Sequence, residues 1–271
     1  MSGLTRYALI LRLFGEAKSD WTIAEIATEL EVPVSTVYRT VRDLLAESFL
    51  EPATEGHYRL GSAFIAFDRL IRLTDPIMRV GNVLLQDMAR QAGVPCVGVL
   101  ARLFGDTVMC VADTLPSDNG IRTSYERGRP RPLTRGATSK VILAQLPARR
   151  LNRLLEARAA RQDRRHAPDP ADMRDELALI RKRGYCITRG EVDKGMVGLA
   201  APVSVPGRAL MASLSLVVPA AALEDSIERR LVLLLVSAAS LLTEKLSRAK
   251  AGAAVGEGSA AKETACKETA S

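Results

Sequence analysis

The sequence is poor in residues that form covalent cross-links or hold metal ions, with four cysteines and two histidines among 271 residues. The cysteines are far apart, and none forms the C-x-x-C pair that is typical of zinc ribbons and redox centres. This scarcity argues against a disulfide framework and a structural zinc site, and we expect no metal and no cofactor. Three cysteines lie in apolar, strand-like runs and are predicted to be buried thiols: Cys96, Cys110 and Cys186.

Long apolar segments are also missing. No run of about 18 or more apolar residues occurs, which is the length that a helix needs to cross a bilayer. The first 13 residues contain arginines and no signal-type cleavage site. We therefore expect a soluble cytoplasmic protein without a membrane partner.

Sequence signatures of the common enzyme classes are missing as well. There is no G-x-S-x-G nucleophile elbow, and the glycines of GMVGL and GDTV do not form a nucleotide-binding fingerprint. His166 lies in a charged, proline-flanked segment rather than beside a candidate nucleophile. No catalytic residue is assigned, and the sequence predicts a protein that is not an enzyme. The alternative is a small-molecule-binding enzyme with an accessory helix-turn-helix.

The charge of the chain is unevenly distributed. A length of 271 residues allows two domains, and a net charge of +7 favours a polyanionic partner. Residues 1–62, however, contain six Lys/Arg and nine Asp/Glu, and the basic excess lies between residues 122 and 189. The total charge therefore does not show where DNA would bind. The DNA-binding surface has to be located from the pattern of apolar residues instead.

The N-terminal residues have the pattern of a winged helix-turn-helix. Apolar residues with helical spacing predict three helices, which cover residues 4–14, 22–30 and 35–47. Thr22 and Glu25 form a capping box at the start of the second helix. A polar turn between two strand-like runs predicts a hairpin wing, residues 49–51 and 57–60. This order predicts a DNA-binding domain over residues 1–62, with the third helix as its recognition helix.

The third helix has an apolar face and a polar face. Val37, Val41 and Leu44 must face the core of the domain, so the opposite face is free to meet DNA. The candidate DNA-binding residues lie on this outer face and in the wing: Ser35, Thr36, Tyr38, Arg39, Arg42 and Arg59. Arg39 is the first choice for a base contact, because a guanidinium can bind guanine through two hydrogen bonds, and Arg59 is assigned to the backbone or the minor groove. The spacing alone also fits a protein-interaction module, and this alternative stays open.

The rest of the chain alternates helices and strands. Residues 63–93 are predicted to be linker helices, and residues 94–249 are predicted to be an α+β domain. The predicted strands cover residues 97–103, 107–113, 185–188, 197–203 and 209–217, and the predicted helices cover 137–146, 148–157, 170–183 and 220–250. Residues 250–271 are rich in Ala, Gly, Ser, Lys, Glu and Thr, and we expect them to form a disordered tail.

A series of short motifs runs through both predicted domains. The N-terminal motifs are IAEIA at 23–27, STVYR at 35–39 and YRLG at 58–61. The C-terminal motifs are RPLT at 131–134, ATSK at 137–140, RGY at 183–185, Glu191, Gly195, AAPV at 200–203 and ASLS at 212–215. This ordered series resembles the IclR family of bacterial transcriptional regulators. The resemblance implies an α+β protein, with an N-terminal winged helix-turn-helix and a C-terminal GAF-like α/β effector-binding domain.

The resemblance also implies partners and an effector site. The implied partners are double-stranded operator DNA, a small-molecule effector and further copies of the chain, in a homodimer or a dimer of dimers. Carried over position by position, the effector contacts are Ala137, Thr138, Thr188, Met196, Gly198, Ser213 and Ser215. A helix N-terminus offers free backbone N–H groups to an anion, and alternate residues of a strand share one face. The expected effector is therefore a small organic acid, with an aromatic acid favoured.

The chain departs from the family pattern at a few positions. Val34 stands where a lysine is common at the start of the recognition helix, which removes one phosphate contact. Thr134 and Arg135 replace the usual His-Ala before the helix of the effector site. Gly198 stands where a larger side chain can line the site, and its small size leaves volume for a ligand.

Overall fold

A computed structural model describes residues 3–114, 121, 123–160, 169–205 and 210–268. The chain divides into two compact units, Met1–Asp75 and Pro76–Ser271. The first unit contains helices and a small sheet, and the second contains a six-stranded sheet with helices on both faces. This architecture confirms the predicted α+β fold class. His166 lies outside the described residues.

The first unit is built on three helices, and all three form where the apolar spacing predicts them. They are α1 (Gly3–Leu11), α2 (Ile23–Glu29) and α3 (Val34–Ala46). The predicted capping box is present, because the Glu25 N–H donates to Thr22 Oγ1 at 3.2 Å and the Thr22 N–H donates to Glu25 Oε2 at 2.9 Å. The three helices share a core of buried apolar side chains, among them Ile10, Ile26, Val37 and Val41.

The wing has three strands rather than the predicted two. β2 (Leu50–Pro52) and β3 (His57–Leu60) pair antiparallel as predicted, and β1 (Asp20–Thr22) pairs with the other edge of β3. β1 is three residues long, which is too short for an alternating pattern to reveal it. The Trp21 indole N–H donates to the Leu13 carbonyl at 3.2 Å and fixes this strand to the turn after α1.

Helix α4 (Ala63–Thr74) follows the wing and belongs to the first unit. The rings of Phe64 and Phe67 pack on the ring of Phe49, with centroid distances of 5.6 and 5.9 Å. None of the 12 residues of α4 is buried in the single chain, although the helix is rich in large apolar side chains. The helix therefore exposes an apolar surface.

The second unit contains an antiparallel sheet with strand order β6-β5-β4-β9-β8-β7. The strands are β4 (Val97–Phe104), β5 (Thr107–Asp113), β6 (Pro130–Pro132), β7 (Cys186–Arg189), β8 (Met196–Ser204) and β9 (Met211–Pro219). The helices are α5 (Pro76–Gln91), α6 (Ala137–Ala144), α7 (Ala148–Ala160), α8 (Pro170–Arg183) and α9 (Asp225–Glu268), with a 3-10 turn at Ala220–Ala222. β6 was not predicted, because it is a short, proline-rich edge strand.

Alternate residues of the strands face opposite layers of helices. Leu100, Leu214 and Leu216 face α5 and α9 on one side of the sheet. Ser213 and Ser215 alternate with these leucines along β9, so they face the other side, which α6 and α8 cover. The sheet is thus enclosed between two apolar cores.

Two segments differ from the sequence prediction. Helix α9 continues to Glu268, through most of residues 250–271, because alanine, glutamate and lysine are strong helix formers and a polar composition does not distinguish a solvated helix from a coil. The predicted linker, residues 63–93, is divided between the units: α4 lies in the first, and α5 packs into the core of the second. Among the described helices, none combines the length and apolar character that crossing a membrane requires.

Candidate functional site

Helix α3 presents its polar face to solvent. Val37, Val41 and Leu44 are buried in the core of the first unit, as the apolar spacing predicts. Thr36 is half-buried, and the side chain of Tyr38 is 56% exposed. The other candidate DNA-binding residues are exposed: Ser35, Arg39, Arg42 and Arg59. All six predicted residues thus lie on the surface, five of them on α3 and one in the wing.

The three arginines of this surface differ in their partners. Arg42 lies 3.5 Å from an oxygen of Asp43, and Arg59 Nε lies 2.7 Å from Glu51 Oε1. Arg39 Nε donates to the Ser35 carbonyl in a long contact of 3.4 Å, and within the described part of the chain it has no acidic partner. Arg39 is therefore the arginine that a base could bind without first displacing a carboxylate.

A small cleft opens in the second unit at the N-terminus of α6. Its volume is about 290 Å³, including the part that is open to solvent. Most of the predicted effector residues lie in its lining: Ala137, Thr138, Thr188, Met196 and Gly198. The start of α6 and the strands β7 and β8 therefore meet at this cleft.

The start of α6 requires a glycine. Gly136 has a φ of +85°, and a Cβ at this position would lie 2.7 Å from the hydroxyl of Tyr125. The Gly136 N–H donates to Glu191 Oε2 at 3.0 Å, and the Ala137 N–H donates to Thr188 Oγ1 at 3.1 Å. Two backbone N–H groups at this helix start therefore already have oxygen partners within the chain.

Glu191 connects the start of α6 to a buried lysine. The Lys140 side chain is 7% exposed, and its ammonium lies 2.7 Å from Glu191 Oε1 and 2.7 Å from Glu176 Oε1. Burial alone lowers the pKa of Lys140, but the hydrogen bonds to the two carboxylates outweigh burial and raise that pKa above its ordinary value. A charged Lys140 therefore holds together α6, α8 and the loop after β7.

Asp193 and Tyr125 also line the cleft. Asp193 Oδ2 accepts the Ser124 N–H at 3.0 Å, and Asp193 Oδ1 accepts the Ser124 hydroxyl. Burial raises the pKa of Tyr125, so this residue is a neutral phenol, 3.2 Å from the Ser139 hydroxyl. Two carboxylates, those of Glu191 and Asp193, therefore line the cleft, and both accept hydrogen bonds from the chain.

Ser213 and Ser215 lie beside the cleft and not in its lining. Both face α6, on the same side of β9 as Val217, which does line the cleft. The Ser213 hydroxyl donates to the Thr138 carbonyl at 3.1 Å and fixes α6 on the sheet. Ser215 is fully buried, and within the described part of the chain its Oγ has no hydrogen-bond partner. The lining therefore differs from the predicted set at these two residues, because α6 covers them.

The remaining lining residues were not predicted as site residues: Tyr125, Gly136, Glu191, Val192, Asp193 and Val217. Val217 was within reach of the sequence pattern, because the alternation of Ser213 and Ser215 continues to it. The pairing of Asp193 with Ser124 joins residues 69 positions apart, and no local pattern indicates such a contact.

The three cysteines whose side chains the structure describes do not line the cleft. Cys110 and Cys186 are buried as predicted, and Cys96 is half-buried. Burial raises the pKa of Cys110 and Cys186 to about 12, so both thiols stay protonated at neutral pH.

Family models match both units of the chain. A model described as the IclR helix-turn-helix domain matches residues 3–53. A model described as the C-terminal part of the bacterial transcriptional regulator IclR matches residues 74–244, which is more than half of the chain.

Several similar proteins and solved structures have names that describe transcriptional regulators or IclR homologues. The glycerol operon regulatory protein of Streptomyces griseus is 30% identical over 205 residues, which cover 75% of this chain and 79% of that protein. The transcriptional repressor IclR of Escherichia coli K12 is 25% identical over 235 residues, covering 83% and 82%. An IclR transcriptional regulator from Alicyclobacillus acidocaldarius has a TM-score of 0.75 at 23% identity, covering 89% of this chain and 97% of that one. An IclR homolog from Microbacterium hydrocarbonoxydans, solved with 4-hydroxybenzoate, has a TM-score of 0.73 at 20% identity, covering 92% and 100%.

Proposed function

Because the chain belongs to the IclR family of bacterial transcriptional regulators, we propose that it binds operator DNA as a homodimer and responds to a small organic acid. Like its named relatives, it is a transcriptional regulator and not an enzyme. Residues 1–62 are the proposed DNA-binding domain, and residues 94–249 are the proposed effector-binding domain. A repressor or activator of this kind acts in the cytoplasm, where its operator lies.

One observation carries the DNA-binding role: α3 has one buried face and one free polar face. Val37 is fully buried, whereas Tyr38 on the adjacent face is 56% exposed. Hydroxyls, a phenol and arginines on an exposed helix are the groups that contact phosphates and base edges in a major groove. The proposed contacts are Ser35, Thr36, Tyr38, Arg39, Arg42 and, from the wing, Arg59.

Replacement of Arg39 tests this proposal. Repeated selection from a randomised duplex pool supplies a bound sequence, and fluorescence anisotropy then compares that duplex with a scrambled one. Arg39→Ala should weaken binding to the selected duplex by about 1–3 kcal/mol, the usual size of a two-hydrogen-bond base contact. Binding to the scrambled duplex should change less, because a base contact depends on the sequence.

An arginine outside the recognition helix provides the control. Arg12 is exposed and follows α1, so Arg12→Ala removes the same charge without touching the proposed surface. This variant should bind both duplexes as the wild type does. Equal losses of Arg39→Ala on both duplexes would identify a phosphate contact only. A wild-type protein that enriches no sequence would contradict the DNA-binding function.

The cleft at α6 supports an organic acid as the effector. The start of a helix carries partial positive charge, and the charged Lys140 lies next to it, so a carboxylate is favoured there. Beyond that end, Met196, Gly198 and Val217 provide an adaptable apolar wall for a ring. The complex of one structural relative with 4-hydroxybenzoate supports an aromatic acid.

Buried hydroxyl groups add to the argument for a ligand. A buried polar group without a hydrogen bond costs about 1–3 kcal/mol, and among the described residues the Oγ of Ser215 has no partner. A polar atom of a ligand that reached Ser215 would remove this cost. Of the two predicted serines, Ser215 is the one with a hydroxyl left for a ligand, since the hydroxyl of Ser213 already binds Thr138, and a ligand would reach Ser215 only by entering beneath α6, which covers it. The proposed set is Ala137, Thr138, Thr188, Met196, Gly198 and Ser215.

Helix α4 supports the homodimer. Its exposed apolar side chains include Ile65, Phe67, Leu70, Ile71 and Leu73, which are between 49% and 75% exposed. A concentration of large apolar side chains on one exposed helix is typical of an interaction surface. In a twofold dimer this helix can meet its own copy, and two recognition helices are then available for two half-sites of an operator.

A further inference from the structure

The carboxylate of Glu191 occupies the position that an anion would take at the start of α6. Glu191 Oε2 accepts the Gly136 N–H at 3.0 Å, and Glu191 Oε1 accepts the Lys140 ammonium at 2.7 Å. A backbone N–H at a helix start and the buried ammonium behind Glu191 are the two donors that an acidic ligand would take over if it replaced this carboxylate. We propose that Glu191 is an internal competitor of the effector, and that an organic acid binds by displacing its carboxylate. This inference rests on the proposed effector role of the cleft.

The surroundings of Glu191 allow its side chain to leave. The side chain is 32% exposed and belongs to the loop between β7 and β8, so it can rotate into solvent. Its own carbonyl accepts a hydrogen bond from Arg135 Nε, which keeps the main chain attached while the side chain moves. Lys140 would still have Glu176 at 2.7 Å, so the displacement does not leave a buried ammonium unpaired.

Asp193, the second carboxylate of the cleft, has a different role. Both of its oxygens accept hydrogen bonds from Ser124, and Thr123 adds another at 3.1 Å. Its charge opposes every anion that enters, but its oxygens already accept hydrogen bonds from Thr123 and Ser124 and from no donor of α6 in the described part of the chain. Glu191, by contrast, holds the donors that the acid itself needs.

An internal competitor determines which ligands can enter. A tethered carboxylate acts at a high effective concentration, so it lowers the apparent affinity of every acid. A neutral ligand cannot replace the charge that Lys140 and the helix start require, and it gains nothing from displacing Glu191. Replacing the carboxylate of Glu191 by that of a ligand gives little net binding energy. The site therefore selects acids whose apolar part makes enough additional contacts to favour binding.

Rescue by acetate tests this inference, because acetate carries the functional group that Glu191→Ala removes. The thermal midpoint of the full-length protein is measured in increasing sodium acetate, with sodium chloride of equal ionic strength and acetamide as references. Acetate should raise the midpoint of Glu191→Ala in a saturable way, with half of the effect at a concentration about tenfold lower than in the wild type. Chloride and acetamide should not do so.

Glu176→Ala is the matched control. It removes the other carboxylate partner of Lys140 but leaves the Gly136 N–H bound to Glu191, so acetate should stabilise it no more than it stabilises the wild type. Equal responses of all three proteins to acetate would overturn the inference. If Glu191→Ala does not fold, Glu191→Gln, which keeps the size and removes the charge, takes its place with the same two outcomes.

The proposed effector class is measured separately, as release of the selected duplex by 4-hydroxybenzoate. Acetate rescue without any effect of organic acids on DNA binding would support the internal carboxylate position and contradict the proposed effector class. Release of the duplex by acids without selective rescue would overturn the role of Glu191 and leave the effector class in place.

Discussion

Gly198 has no side chain, and this leaves space open in the cleft. A Cβ at this position would lie 3.4 Å from Thr188 Oγ1 and 3.5 Å from the Cβ of Ala137, so a methyl group fits and a branched side chain fills the space beyond it. Gly198→Leu should therefore abolish the rise in thermal midpoint that a bound aromatic acid causes, while Gly198→Ala should largely keep it. The measurement is a melting series with acids that range from acetate to 4-hydroxybenzoate.

Measurements without ligand show whether both Gly198 variants still fold and bind DNA. Their midpoints without ligand and their affinity for the selected duplex should stay close to those of the wild type, since the added atoms enter an open cleft. Tight binding of the aromatic acid by Gly198→Leu would show that the effector binds elsewhere.

At the scale of one element, the start of α2 makes the stability of the first unit depend on pH. The Lys18 ammonium, 2.6 Å from Glu25, and the Thr22 N–H hold the pKa of Glu25 at about 2, below its ordinary value of 4.5. A carboxyl group whose pKa is lower in the folded state stabilises the fold above the ordinary pKa, and this contribution disappears as the pH falls from 4.5 towards 2. Glu25→Gln should lower the thermal midpoint at neutral pH and flatten its dependence on pH over that range, as followed by circular dichroism.

Glu29→Gln serves as the reference for this measurement. Glu29 is exposed in the same helix, so its replacement changes the net charge equally without removing the cap. An unchanged slope in Glu25→Gln between pH 4.5 and 2 would contradict the assigned role of the capping box.

Elements with local signals were predictable from the sequence. Helix α8 was predicted at its observed limits, and both of its ends carry local signals: Asp169 caps the start, and Gly184 ends the helix with a φ of +77°. β1 and β6 could not be predicted in this way, since each has three residues and is held by partners far away in the sequence. The end of α9 could not be predicted either, because helix propensity favours a helix there and polar composition favours a disordered segment.

The resemblance to the family, and not a local pattern, indicated which residues line the cleft. Ala137, Thr188 and Gly198 lie on a helix start and on two paired strands, and their positions in those elements bring them together. The pairing of Lys140 with Glu191 spans 51 positions and joins a helix to a loop, so no periodicity reveals it. Whether a residue of β9 lines the cleft depends on how far α6 covers the sheet: α6 covers Ser213 and Ser215 but leaves Val217 in the lining.

At the scale of the whole molecule, the exposed surface of α4 governs assembly. Leu70 and Ile71 are 49% and 50% exposed, and replacing both by lysine places two charges where a partner would pack. The double variant should be monomeric at micromolar concentration by light scattering. Its affinity for a two-half-site duplex should fall by more than about tenfold, because two recognition helices no longer bind as one unit.

An exposed leucine elsewhere separates assembly from a general loss of apolar surface. Leu4 is 80% exposed on α1, and Leu4→Lys should leave both the mass in solution and the DNA affinity unchanged. A wild-type protein that is monomeric and yet binds the duplex with full affinity would exclude the dimer.

The sign of the charge on the N-terminal unit has a consequence for the protein in the cell. Residues 1–62 hold six basic and nine acidic side chains, and Arg42 and Arg59 each lie beside a carboxylate. Attraction to phosphates supplies nearly all of the affinity of a regulator for arbitrary DNA. If the attraction to phosphates is weak, only a small fraction of the protein is bound to nonspecific chromosomal DNA. We therefore expect it to find its operator by repeated encounters from free diffusion rather than by sliding. The number of copies in the cell then sets promoter occupancy almost directly, with little buffering by the rest of the genome.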